Sequence, residues 1–273
     1  MTALLVQAER SRGNRCTSLK RQYAPASLRL GRRWQMSRND SISRARAALL
    51  SALGHSRDGM DAMARLGRMC VELLPIDGAS ISLIIDTNNR ETLYASDEVV
   101  ARIEAVQFSL GEGPCFETFT THRPVLVADL QTATRRTWPV FAAEMIGEPV
   151  GAIFAFPLLA GAGSLGAMDM YSERAGWLST VDVAIALQVV DIVTLALVEM
   201  QMNAWDVSRW TDVPTNRAQV HQATGMLIAE LGVAPEHALA RLRGHAFAAG
   251  RLVDDVADDL VARRLLPADL DQS

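Results

Sequence analysis

The chain has 273 residues, 49% of them apolar and 21% charged, with a formal net charge of −4. That length holds two ordinary domains with their own cores, and that composition excludes a disordered chain. The negative balance excludes attraction of the whole molecule to nucleic acid, and Cys16, Cys70 and Cys115, with no CxxC pair, exclude a disulfide framework or zinc ribbon and fit a reducing cytoplasm.

Residues 1–40 mix Arg12, Arg15, Lys20, Arg21, Arg29, Arg32 and Arg33 with Ser and Pro and show no apolar period. They read as a disordered basic extension, with Met36 as an alternative start, in preference to an arm that touches RNA. No apolar run followed by a cleavage site marks a leader. From residue 41 the pattern becomes periodic. Ser41–Gly54 reads as a helix with Ala47, Leu50 and Leu53 aligned. Asp58–Leu74 reads as a second, aligning Met63, Leu66, Met69, Cys70 and Leu73 and ended by Pro75. Ala79–Ile85 is a strand, Asn88-Asn89 a turn and Glu91–Ala95 the partner strand.

Glu98–Val106 is the next helix. Gly111-Glu112-Gly113-Pro114-Cys115 is a turn that opens another near Pro114, Pro124–Ala128 is a strand, and Trp138–Ile146 is helical. The uncharged run Pro149–Met168 is broken by Pro157 and four glycines, so it is read as strands (Val150–Leu159, then Leu165–Tyr171) and not as a membrane span. A long helix closes the series from Thr180 to about Ala204; Gln188 and Asp191 within it fit a buried helix better than a span. Its stripe of Val183, Leu187, Val190, Val193, Leu197 and Met200, followed by Trp205 and Trp210 in a linker at 201–216, predicts a dimer surface. The order gives an α+β domain over 41–200, an antiparallel sheet with flanking helices.

Residues 217–266 carry three short apolar periods: Val220, Ala223, Leu227 and Leu231; then Ala238, Leu239, Leu242, Ala246 and Ala249; then Leu252, Val256 and Leu260. Pro235 suits a first helical turn, Gly232 and Gly250 suit helix ends, and Asp254 and Asp255 open the last helix while Arg263 and Arg264 close it. The unit is a compact all-α bundle of three helices. Its arginines are matched by acids, so charge alone does not point to nucleic acid.

Cys115 is the sharpest candidate for chemistry. On a first helical turn the dipole lowers a thiol pKa, which suits a sensing thiol or a chromophore attachment. The competing reading, a small residue packing the turn against the sheet, is preferred because no resolving cysteine is close in sequence. His122 reads as a turn residue more than a haem ligand, and Asp129 and Asp169 as structural acceptors. No Ser-His-Asp spacing, P-loop or GxGxxG context occurs, so the sequence names no enzyme and leaves any cofactor unknown.

Gln222-Ala223-Thr224-Gly225-Met226-Leu227, Ala238-Leu239, Leu242-Arg243, Ala246 and Asp255-Val256-Ala257 resemble the ANTAR domain, the RNA-binding output of bacterial transcription antiterminators. Thr224 stands where some ANTAR sequences carry Lys; on the wheel it falls beside Val220 and reads as a core threonine. Leu74-Pro75 through Asp86, the GEGPC turn, Pro124–Leu130, Trp138-Pro139, Phe156-Pro157-Leu158 and Leu165–Met168 resemble a GAF domain, a small-molecule and protein-interaction sensor. The NKFDE-type motif of cyclic-nucleotide-binding GAF domains is absent. The resemblance implies a cytoplasmic, homodimeric regulator whose output domain binds paired hairpins in nascent mRNA under control of a GAF ligand. On that reading Arg217, Arg241, Arg243, Arg263 and Arg264 form the RNA face, Arg241 and Arg243 reaching solvent on either side of the apolar stripe. Phe247 would stack on a loop base if exposed, although burial is the preferred reading. A DNA-binding regulator and a Cys-dependent GAF redox sensor or enzyme, with Cys70 as the only second thiol in the domain, are the alternatives.

Overall fold

The computed structural model describes residues 26–86, 89–203 and 217–270. Two compact units divide at Arg44, and the second, Ala45–Ser273, contains the sheet and the C-terminal helices. Trp205, Trp210, the linker before Arg217, Asn88 and the first 25 residues of the expected extension lie outside the described residues. Helix α1 (Ala26–Gly54) begins well before Ser41. It buries Ala45 and Leu49, and not Leu50 of the expected face. Alanine and leucine at adjacent positions leave the wheel with more than one apolar side, and packing selects between them.

Helix α2 (Gly59–Leu73) starts at Asp58, whose side chain accepts from the Asp61 amide, and buries Met63, Leu66 and Cys70. Five antiparallel strands follow: β1 (Gly78–Ile84), β2 (Arg90–Ala95), β3 (Val125–Val127), β4 (Ala152–Ala160) and β5 (Gly163–Ser172), in the order β2-β1-β5-β4-β3. β1 and most of β4 are buried on both faces because helices cover both. Pro157 is tolerated in β4 because β3 reaches only as far as Val125, opposite Ala155, so no ladder bond is required beyond it on that side.

One face of the sheet carries α2 and α7 (Thr180–Asn203); the other carries α3 (Glu98–Leu110) and α4 (Pro114–Thr121). α7 is long and apolar enough, by length and composition, to cross a membrane, and half of that stretch is buried within the fold. The expected dimer stripe is here the domain's own core: Val190, Val193 and Leu197 are buried, and of the six only Leu187 is exposed. The apolar groups left outside are Leu187, Leu195 and Met202. A helix that the sequence does not announce, α5 (Leu130–Thr137), is mostly polar and so shows no apolar period. Asp129 holds its start, accepting from the Gln131 and Thr132 amides. Short α6 (Pro139–Glu144) follows.

The C-terminal bundle is α8 (Ala218–Leu231), α9 (Pro235–Ala248) and α10 (Val253–Val261), closed by a 3-10 turn, Pro267–Leu270, that adds Leu270 to the core. The expected stops hold: Gly232 and Gly250 are left-handed, and Pro235 sits at the start of α9. After α10 that left-handed position is taken by Arg263 (φ 57°), with the Arg264 amide bonded to Asp259 O and the Arg263 amide to Leu260 O. This is a Schellman ending without its glycine.

Candidate functional site

The three-helix bundle is seated on α3. Phe108 leaves the α/β domain and completes the core of the bundle beside Val220, Leu227, Leu242 and Val256. In return Leu252, just before α10, packs against the core formed by Val106, Phe141 and Ile153. Fully burying a phenylalanine contributes about 1.5–3 kcal/mol, so each unit is completed by the other.

Polar groups follow the same seam. α10 has no side-chain cap of its own at Leu252; Ser109 Oγ supplies one from α3, accepting from the Val253 amide at 3.0 Å. The Arg217 guanidinium lies 3.6 Å from the Phe108 ring centre, and its Nη1 donates to both carboxylate oxygens of Asp254 at 3.1 Å. Arg243 lies 4.9 Å from the same ring and donates from Nε to the Phe108 carbonyl at 3.1 Å. Burial, with Arg217 and Arg90 nearby, brings the Arg243 pKa down to about 10. His221 Nε2 meets Glu91 Oε1 at 2.7 Å, and that bond raises the imidazole pKa. A cavity of about 170 Å³ opens along the seam between Arg102, Val106, Leu110, Phe247, Arg251 and Leu252.

The six residues expected on an RNA face are therefore divided. Arg217, 5% exposed, and half-buried Arg243 are both engaged on Phe108 of α3. The helical wheel registers the bundle's own core and cannot register a second surface against it. Arg241 is half-buried, and Arg263 and Arg264 are exposed, with Arg264 paired to Asp259. Phe247 is 63% exposed, against the preferred expectation of burial, and lines the seam cavity beside Arg251 and Leu252. Thr224 is half-buried and donates to Val220 O, as a core threonine should.

The GEGPC turn is explained residue by residue. Gly111 (φ 66°) ends α3. Glu112 accepts from the Val140 and Phe141 amides at 3.1 and 2.8 Å and so caps α6 across the fold. Gly113 (φ 132°) takes a conformation that side chains resist, and a Cβ there would lie 2.7 Å from Gln107 Oε1. Pro114 starts α4, and Cys115 is fully buried behind it. Burial agrees with the preferred packing reading and not with a dipole-lowered thiol: it pushes the Cys115 pKa well up, with Asp169 and Glu104 adding to it against Arg90. Cys70 is buried on α2, on the opposite face of the sheet. His122 is the left-handed end of α4, a turn residue.

Sequence reasoning missed the groups around Cys115. Arg90 (β2), Glu104 (α3) and Asp169 (β5) are buried together under the sheet. Glu104 accepts from Ser80 and Ser82 at 2.7 Å each and forms an ion pair with Arg90. Gln107 bridges the rest, its Nε2 donating to Asp169 Oδ2 at 2.7 Å and its Oε1 accepting from the Cys115 amide at 2.8 Å. Burial and the neighbouring Glu104 raise the Asp169 pKa to about 7. The only signal in the sequence is Ser80 and Ser82 in an otherwise apolar strand, two hydroxyls on one face that require a polar partner.

An antiparallel sheet with helices on both faces is thus followed by a helical bundle that it caps and completes. Family models match residues 61–198 as a GAF domain and residues 213–261 as an ANTAR domain. The chain belongs to the GAF family, in the GAF–ANTAR arrangement of a regulator. Solved structures are similar at fold level only. The GAF domain of a phosphoenolpyruvate-protein phosphotransferase from Coxiella burnetii is 12% identical, with 60% of this chain and 96% of that one covered, at a TM-score of 0.49. The free methionine-R-sulfoxide reductase of Neisseria meningitidis is 12% identical over 61% and 91%, at 0.44. A GAF sensor protein of Burkholderia vietnamiensis is 14% identical over 61% and 94%, at 0.43. No curated protein matches the chain.

Proposed function

We propose that this GAF–ANTAR regulator is a cytoplasmic, homodimeric, non-enzymatic RNA-binding antiterminator whose RNA face is opened and closed by the GAF domain. The observation that carries the control is the exchange of Phe108 and Leu252 between the two domains, with Arg217 and Arg243 held on α3. In the closed seam the exposed parts of the face are Phe247, Arg263 and Arg264, beside half-buried Arg241. Opening adds two guanidinium forks suited to phosphate and to unpaired bases. A signal that favours the open form raises affinity for paired hairpins in nascent mRNA by its differential binding alone. The acidic first turn of α10, Asp254 and Asp255, fits a DNA major groove poorly and favours RNA over the DNA-binding alternative.

The test uses full-length protein and a seam-weakened variant, Ser109→Ala with His221→Gln, titrated with a two-hairpin RNA. The variant is expected to bind several-fold tighter, and its salt slope to steepen by roughly 0.7–0.9 per added phosphate contact. Equal affinity and slope would sink the closed-seam control. A failure of both proteins to prefer the two-hairpin RNA over duplex DNA would sink the RNA reading itself.

A further inference from the structure

The cluster under the GAF sheet contains a donor set that the seam does not use. Cys115 Sγ, a Glu104 oxygen and an Asp169 oxygen lie within 4.8 Å of one another, all buried. They arrive from α4, α3 and β5. Each is braced from behind: Glu104 by Ser80 and Ser82, Asp169 by Gln107, and the Cys115 backbone by the same Gln107. Outer hydrogen bonds of this kind orient the side chains that ligate a metal.

A second observation concerns what the cluster leaves unpaired. Asp169 Oδ1 is buried without a hydrogen-bond partner, on a residue 2% exposed, and Arg90 Nε and Nη1 are buried without partners beside it. A bare carboxylate oxygen next to a second carboxylate is costly unless a proton or a cation lies between them.

We propose that Glu104, Asp169 and Cys115 bind one divalent transition-metal ion of the Zn²⁺ or Fe²⁺ class inside the GAF domain. A thiolate in the set selects this class over Mg²⁺ or Ca²⁺. Loading displaces the Cys115 thiol proton and the proton of the Asp169 carboxyl to solvent, with no change of oxidation state. Three anionic donors are then neutralised by the ion and Arg90 together, with Arg90 kept on Glu104. Bonds of about 2.0–2.3 Å put tetrahedral donors roughly 3.5 Å apart, so loading holds the three at that spacing. α3 carries Glu104 into this site and Phe108 and Ser109 into the seam, so loading acts on the helix that holds the output domain.

Metal binding here does not depend on the RNA reading. Full-length protein, stripped of metal under reducing conditions, is titrated with Co²⁺ and then with Zn²⁺. One equivalent of Co²⁺ per chain should give a near-ultraviolet thiolate-to-cobalt band that Zn²⁺ abolishes. Cys115→Ser should lose the band and Cys70→Ser should keep it. Asp169→Asn should weaken binding tenfold or more. Absence of the band in wild-type protein with a native circular dichroism spectrum overturns the proposal. So does a band that survives Cys115→Ser. The wild-type titration stands alone should either variant fail to fold.

Discussion

At the scale of single residues, Ser109 does for α10 what a local N-cap normally does. Ser109→Ala leaves the Val253 amide buried without its acceptor and should cost about 1 kcal/mol, within the range for lost caps. Equilibrium urea unfolding measures the loss, and faster hydrogen exchange at Val253 to Val256 localises it. Neither Ser109 nor Phe108 was legible as functional, because their partners lie in the C-terminal bundle, 144 residues away for Ser109. Arg217 and Arg243 were legible as arginines beside an apolar stripe. That they turn inward depends on a second domain, which a helical wheel does not contain. Arg90, Glu104 and Asp169 stayed hidden for the same reason: each is an ordinary charge until the sheet brings them together.

Element boundaries were the most legible feature. Pro75, Pro235, Gly111, Gly232 and Gly250 mark real helix ends because their backbone restrictions act locally. Arg263 was the exception, a left-handed helix end that no glycine announced. Arg263→Gly should therefore stabilise the protein by about 0.5–1 kcal/mol in denaturant titrations, since glycine takes that conformation without a Cβ penalty. The same change removes a proposed RNA contact, so affinity for a two-hairpin RNA should fall while stability rises, a split that a merely structural role would not give. α7 shows where periodicity misleads. Its helix was correctly placed, but the stripe assigned to a partner is buried against its own sheet and α2. Of that helix, Leu187 and Leu195, 42% and 56% exposed, are left to serve the dimer we propose. Leu195→Glu should convert a dimer to a monomer in sedimentation equilibrium; a dimer that persists would place the interface elsewhere.

For the molecule as a whole, closure of the seam should depend on pH through His221. Its partner across the seam is Glu91. Arg217 opposes its protonation, and Asp86, Asn89 and Glu236 line the cavity beside it. The closed-form pKa is raised, so the contribution is fully present below the free imidazole value of about 6.5 and is lost as pH rises through the raised one. Hydrogen exchange in α8 should accordingly be faster at pH 8.5 than at pH 6 after correction for the intrinsic rate. His221→Gln should flatten that difference.

The exchange of Phe108 for Leu252 also bears on how the chain is made. Synthesis completes the sheet and α3 well before α8 to α10 leave the ribosome, and domains fold in the order they emerge. The last helices thus meet a finished template that already presents one of their core side chains and the cap of their third helix. Cut free as a fragment, they would lack both, so loss of binding by such a fragment would report a missing piece of its interior and not a missing RNA contact.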